Sequence, residues 1–257
     1  MKSDSQAKVA AMREGGAKLG AILSELLTYS VAGKTLSDVE ALAMRRITEA
    51  GGLPSFTTVG DYQWATCLCV DDVSVHGIPT GRKLVTGDVF TIDVGMIYKG
   101  YHTDTAWTKV IGGKDYQTPE AVKTFLDTGK TALRDAIRQA VPGNRIGHIS
   151  RTIQEIVEGQ GYGIVKSLVG HGVGKELHMP PQIPGYLRGP IDATLPLTPG
   201  MTIAIEIIYT MGNPAVYYAN DDGWSIATRD HKLSAVFEQT VAITEGAPLE
   251  LTPPHKE

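Results

Sequence analysis

Cysteine is almost absent from this chain: 257 residues contain two, Cys67 and Cys69. Residues two apart on a strand share a face but sit too far apart for easy bridging, which argues against a disulfide framework and a structural zinc site. Two buried, reduced thiols are expected instead, and with them a cytoplasmic protein. An excess of one charge is also lacking. The net charge of −4 gives no bulk attraction to nucleic acid or to an anionic membrane. No apolar run approaches the roughly 18 residues of a membrane span. The opening Met1-Lys2-Ser3-Asp4-Ser5 is followed by no apolar stretch or cleavage site, so a secretion signal is not expected. Hydrophobic residues at 42% and charged residues at 20% are those of an ordinary globular protein, long enough for one large domain or two small halves.

Periodicity divides the chain into helices and strands. Val9, Met12, Ala17, Leu19, Ile22, Leu26 and Leu27 recur at helical spacing through the first 29 residues. Thr35-x-x-Asp38 has the form of a capping box and opens a second helix that stops at Gly51-Gly52. Strand-like runs follow at 66–75, 88–98 and 103–111. Helices are expected over 119–140, with Thr118 as N-cap, and over 146–158. Strands return at 163–169, 201–209, 224–228 and 235–243, and the tail 253–257 reads as frayed. Strands grouped as hairpins, with helices grouped between them, indicate an α+β fold with an antiparallel sheet. Gly112-Gly113 suggests two halves, about 1–115 and 116–250, in a single domain spanning 1–257 with a short tail, 251–257.

The most informative residues are acids inside apolar strands. Asp93 lies within Val89 to Val94, Glu206 within Ile203 to Ile208, and Glu238 within Ala235 to Val241. An unpaired buried carboxylate costs several kcal/mol or takes up a proton, so each needs a cation or a strong set of hydrogen bonds. Alternation puts Ile203, Ile205 and Ile207 on one face, and Thr202, Ala204 and Glu206 on the other. Asp93 likewise shares its face with Thr91 and Gly95, so the acids stand among small residues that leave room for a ligand. A turn centred between Tyr98 and Lys99 would set Asp93 directly opposite Asp104, close enough to share a cation.

A glycine-punctuated loop, Gly170-His171-Gly172-Val173-Gly174, leads to His178. With Val75-His76-Gly77-Ile78-Pro79, the Asp93 and Asp104 pair, Glu206 and Glu238, it gives an ordered set that resembles the type I methionine aminopeptidases over nearly the whole chain. The resemblance implies the pita-bread fold, two pseudo-twofold-related halves around a curved antiparallel sheet with helices on its outer face. It also implies two divalent metal ions (Co, Mn, Fe or Zn) held by Asp93, Asp104, His171, Glu206 and Glu238. A donor set of four carboxylates and one imidazole suits such ions. By the same resemblance Glu206 shuttles a proton, His178 stabilises charge on the scissile carbonyl, and His76 contacts the scissile amide. Tyr62, Cys67, Leu177 and Trp224 would line the methionine pocket, together with His76 and His178.

The implied activity is removal of the initiator methionine from nascent proteins and peptides with a small second residue. The protein is then expected to be a cytoplasmic monomer acting on nascent chains, with the ribosome as a further partner, and with no membrane or nucleic-acid site. Two departures from the family pattern stand out: Ile207-Ile208 after Glu206, and Met179-Pro180-Pro181 after His178. Both leave the implied ligands intact and bear on the pocket rim, the rate and the substrate tolerance that the resemblance implies. An Xaa-Pro peptidase of the same fold is the first alternative, disfavoured by the lack of a further N-terminal domain. A non-catalytic peptide- or ribosome-binding homologue is the second, disfavoured because all five ligand positions are kept. His102, His148, His231 and His255 carry no such context and read as structural.

Overall fold

The computed structural model describes residues 2–253. Of the tail expected to fray, Pro253 lies against Gly20, whereas residues 254–257, His255 among them, fall outside the described residues. Four helices are present: α1 (Lys2–Tyr29), α2 (Leu36–Glu49), α3 (Glu120–Arg138) and α4 (Ile146–Gly159). The first half of the chain supplies β1 (Leu53–Pro54), β2 (Thr66–Val70), β3 (Val73–Val75), β4 (Val89–Tyr98) and β5 (Tyr101–Val110). After α4 come β6 (Gly163–Ile164), β7 (Gly170–Gly172), β8 (Met179–Ile183) and β9 (Thr202–Thr210). The last strands are β10 (Val216–Tyr218), β11 (Ile226–Thr228), β12 (Ser234–Ala242) and β13 (Leu249–Glu250).

Ten strands form one antiparallel sheet whose main path is β1-β4-β5-β12-β9-β7-β8. The long strands β5 and β12 join the two sides of the sheet at its centre. One face, bearing Ile92, Val94, Ile203, Ile205, Ile207 and Phe237, packs on helices through Leu19, Leu26, Phe125 and Leu133. Burying these side chains supplies about 1.5–3 kcal/mol each relative to exposure. The opposite face carries the acids, and a small sheet ordered β10-β11-β3 covers part of it through Val75, Ile208, Ile226 and Val236.

Several boundaries differ from the sequence reading. The run 66–75 is two strands because Asp71 turns the chain with φ 57°. The expected strand 163–169 keeps only Gly163–Ile164. The strand expected from Trp224 starts at Ile226, which leaves Trp224 on a loop. Pro119, not Thr118, caps α3. The Thr35 capping box is present, with Asp38 N donating to Thr35 Oγ1 at 3.1 Å and Thr35 N to Asp38 Oδ2 at 2.8 Å.

On α1, Ala17 is exposed and the contact face runs instead through Met12, Gly15, Gly16, Leu19 and Gly20. A Cβ on Gly16 would stand 2.3 Å from the Leu251 carbonyl oxygen, and one on Gly15 would stand 2.7 Å from Tyr98 Cβ. The glycines thus let the helix backbone lie directly on its neighbours, where apolar periodicity gives no signal.

The second outer helix is fixed by a polar pin. Tyr209, on β9, donates its hydroxyl hydrogen to the Phe125 carbonyl oxygen and accepts from Gly129 N at 3.1 Å. Its hydroxyl therefore occupies the place of one hydrogen bond in α3. A Cβ on Gly129 would lie 2.5 Å from both Phe237 and the Tyr209 hydroxyl. Overpacking of this kind typically costs about 1–3 kcal/mol. Gly129→Ala is expected to lower unfolding free energy by about that much in urea titration; an unchanged midpoint would show that α3 can lift without cost.

Candidate metal centre

The hairpin carrying two of the acids turns on Lys99 and Gly100, whose φ values are 51° and 76°. Positive φ at both positions is the geometry of a two-residue type I′ turn. Tyr98 therefore pairs with Tyr101, which puts Asp93 opposite Ala106 and Asp104 opposite Gly95. The direct Asp93–Asp104 pairing expected from sequence is incorrect by one turn position. Lysine rarely adopts this backbone conformation. Here the Lys99 ammonium is held on α1 by the Glu14 carboxylate at 2.6 Å. The two acids still share a face and meet diagonally, within reach of each other.

Register orders the remaining residues. One row across the sheet reads Cys67, Asp93, Ala106, Glu238, Glu206. The adjacent row contains Asp104, then Thr240, whose hydroxyl accepts from Asp104 N at 2.9 Å. It continues through Ala204, opposite Thr240, to His171, opposite Ala204. The five proposed ligands thus come from five strands on two neighbouring rows: Ala106 separates Asp93 from Glu238, Thr240 and Ala204 separate Asp104 from His171, and Glu238 faces Glu206 directly. Asp104, Glu238 and His171 are buried, while Asp93 and Glu206 keep an edge open to the cavity above.

These residues fit a divalent cation. Single donor atoms of Asp104, His171 and Glu238 lie within 4.8 Å of one another. Asp93 Oδ1 is buried without a hydrogen-bond partner. No ion pair among the described residues brings a lysine or arginine to the four acids; the nearest base is His171, with Nε2 3.9 Å from Asp104 Oδ2. His171 Nδ1 lies 3.0 Å from the Gly172 carbonyl oxygen and donates to it, so the neutral ring presents Nε2 as a free lone pair. Two carboxylates about 5 Å apart repel by roughly 3 kcal/mol at an effective dielectric of about 20. Several such pairs would rival a domain's entire stability of about 5–15 kcal/mol, so cations or protons must neutralise them.

Without a cation the burden falls on protonation. Burial and the charges of its neighbours push Glu206 up to about 8, and burial raises Asp104 to about 7. Asp93 and Glu238 are raised well above the carboxylate range, by burial first and the other acids second. Burial lowers His171 to about 4.

Above the rows is a cavity of about 120 Å³ lined by the four acids and the His171 imidazole, by His76 and His178, and by Tyr62, Cys67, Leu177 and Trp224. Every site residue named from sequence lines this one cavity. Phe56 and Val59 also line it and had no signal beyond being apolar. Tyr62 is the hub: its ring meets Trp224 edge-on at 5.0 Å, Trp64 at 5.1 Å and Phe56 at 6.5 Å. His178 stands at the exposed mouth, its ring 4.5 Å from that of His171. His76 has φ 57°, a conformation uncommon for a non-glycine residue and frequent at functional sites. Neither departure from the family pattern lines the cavity. Ile207 and Ile208 are buried on opposite sides of β9, and Met179, Pro180 and Pro181 are not among the lining residues.

The raised carboxyls have a thermodynamic consequence. From pH 6.5, the ordinary histidine value, to about 8, the Glu206 value, the metal-free native state holds protons that the unfolded chain has released. Stability therefore falls as pH rises through this window. Below it, burial holds His76, His102 and His171 unprotonated, which acts in the opposite direction and flattens the profile. Thermal melts of metal-stripped protein are expected to show a midpoint that drops across the window, and saturating Mn²⁺ is expected to abolish the drop. A rising midpoint without metal would contradict the proton-sharing cluster.

Comparison with known proteins agrees with this geometry. Metallopeptidase family M24 is matched over residues 10–245. Methionine aminopeptidase 1 of Bacillus subtilis is 37% identical over 234 residues, covering 91% of this chain and 92% of the relative. The methionine aminopeptidase of Clostridium acetobutylicum is 36% identical over 245 residues, 94% of each chain. The crystal structure of the Thermotoga maritima methionine aminopeptidase superposes with a TM-score of 0.90 at 37% identity, covering 96% of both chains. The prolidase of Pyrococcus furiosus, at 22% identity and a TM-score of 0.77 over 97% of this chain and 65% of its own, shares the fold. With the pita-bread fold and an M24 match over most of its length, the chain belongs to metallopeptidase family M24, among the methionine aminopeptidases.

Proposed function

We propose that the protein removes the N-terminal methionine from nascent chains and peptides with a small second residue, using two divalent metal ions. The observation that carries this reading is the junction of a carboxylate-rich donor set with a small, aromatic-walled apolar cavity. An unbranched thioether suits such walls, because sulfur makes favourable contacts with aromatic rings. The Xaa-Pro alternative gains no support from this cavity.

Asp93, Asp104, His171, Glu206 and Glu238 would hold the ions. Bound there, they supply Lewis acidity and lower the pKa of a water. Glu206, which keeps an edge open to the cavity, is the group to accept and return a proton there. His178 at the mouth would donate to the scissile carbonyl oxygen, and His76, kept neutral by burial, would contact the amide. Tyr62, Cys67, Leu177 and Trp224, with Phe56 and Val59, would hold the methionine side chain. On this reading the protein acts in the cytoplasm as a monomer; among the described residues no helix is long and apolar enough to cross a membrane.

The direct test is hydrolysis of Met-Ala-Ser, Met-Lys-Ser, Leu-Ala-Ser and Ala-Pro-Ser by metal-stripped protein reloaded with Mn, Co, Fe or Zn. Metal-dependent cleavage confined to Met-Ala-Ser is expected, whereas preference for Ala-Pro-Ser would make it an Xaa-Pro peptidase. Glu206→Gln is expected to abolish turnover, and an active variant would remove the proton-shuttle role. His178→Ala should lower kcat by about 10²–10³ while leaving metal affinity, measured by calorimetry, nearly unchanged; equal losses in both would make His178 a ligand instead.

A further inference from the structure

Trp224 forms one side of the cavity, yet it belongs to no strand: it sits on the loop joining β10 to β11. Its ring touches Tyr62 at 5.0 Å and His76 at 6.5 Å. A Cβ on Gly60, where φ is 54°, would lie 3.6 Å from it. Edge-on ring contacts of this kind contribute about 0.5–1.5 kcal/mol, too little to hold a loop in one place.

What fixes the loop is a single carboxylate. Asp222 Oδ1 accepts from Trp224 N and Ser225 N, both at 2.8 Å. Its Oδ2 accepts from Ser225 Oγ at 2.7 Å and from Asn220 Nδ2 at 3.3 Å. Ala219 N donates to Ser225 O at 2.8 Å and closes the loop. No ion pair among the described residues involves Asp222, so its charge is directed at these donors. Burial alone would raise its pKa, but the hydrogen bonds hold the carboxyl below its usual value. The adjoining lining around Tyr62 is fixed separately. Glu40 on α2 accepts from Ala65 N at 2.8 Å, Thr66 N at 3.1 Å and Thr66 Oγ1 at 2.5 Å. Thr66 in turn receives the Tyr62 hydroxyl on its carbonyl at 2.8 Å.

We propose that Asp222 is a positioning residue for substrate selection: by gripping the backbone on either side of the Trp224 peptide it sets the width of the side-chain cavity. This inference rests on the aminopeptidase reading for the identity of the side chain, methionine. The proposed metal ligands sit on β4, β5, β7, β9 and β12, so loosening the loop alters side-chain fit first and leaves the proposed metal ligands in place. Loss of Asp222 therefore appears in KM and in selectivity, not in kcat.

The test compares Asp222→Ala, Asp222→Asn and Ser225→Ala with the parent holoenzyme on Met-Ala-Ser and Leu-Ala-Ser. Binding of methioninol, followed by tryptophan emission, reads the cavity without turnover. Asp222→Ala is expected to raise KM for Met-Ala-Ser about tenfold, equivalent to about 1.4 kcal/mol, and to weaken methioninol by the same factor. Its kcat should stay within about twofold, and its methionine-to-leucine preference should narrow. Asp222→Asn should restore most of the loss, because an amide oxygen still accepts from both backbone N–H groups. Ser225→Ala should give a smaller rise, and it carries the test if Asp222→Ala does not fold. Unchanged KM and preference in the folded variants, or a kcat loss at constant KM, would overturn the proposal. A parent enzyme that cleaves neither peptide yet loses methioninol binding in Asp222→Ala would sink the aminopeptidase reading and leave the positioning role standing.

Discussion

Burial away from water raises the proton affinity of Asp93, Asp104, Glu206 and Glu238, and the charges of neighbouring acids add to it at Asp93, Glu206 and Glu238. Their common face can exist only if something positive is drawn into it. The surrounding structure keeps that demand from being met by the protein itself. The other places on their two rows are taken by Ala106, Thr240 and Ala204, so no long basic side chain reaches in from a neighbouring strand. Apolar side chains on the opposite face bind the sheet to its helices. His171 is held neutral, with one nitrogen committed to the backbone and the other left open. A cation is thus the economical neutraliser, because it satisfies several carboxylates at once where a proton satisfies one.

Precision of this kind comes from register. Across the centre of the sheet Glu238 faces Glu206 directly, and a slip of one residue would turn both into the helix-packed layer. The helices stabilise register indirectly, since Ile203, Ile205 and Ile207 can be buried on only one face. The Tyr209 hydroxyl adds a polar lock between α3 and the strand bearing Glu206. Packing on one side of the sheet therefore fixes chemistry on the other.

Much of this was legible in the sequence, and the parts that were not have physical causes. Acids in apolar strands are conspicuous because burial of charge is rare, and alternation alone put Glu206 on the face away from the isoleucines. The motif set carried the family and the cavity residues Tyr62, Cys67, Leu177 and Trp224 to one wall. The hairpin register escaped because Lys99 takes a conformation that its residue type seldom adopts, supported by Glu14 more than eighty positions away. The contact face of α1 escaped because glycine leaves no apolar signature, although close approach requires it. Phe56, Val59, Glu40 and Asp222 act through partners distant in sequence or through backbone groups. No single-chain pattern distinguishes them from ordinary core or turn residues.

The position of β12 in the sheet also has a consequence for how the protein is made. It is the last long strand in the chain, yet it is inserted between β5 and β9 at the centre of the sheet. During synthesis, β5 must wait as an open edge, with its backbone donors and acceptors unpaired, until residues 234–242 have left the ribosome. The proposed metal centre could not preassemble in the first half, because Glu206 and Glu238 arrive last. An interrupted chain would lack two of the proposed ligands and would expose an edge prone to pairing with other chains, so on this reading completion of translation and formation of the metal site are coupled by topology.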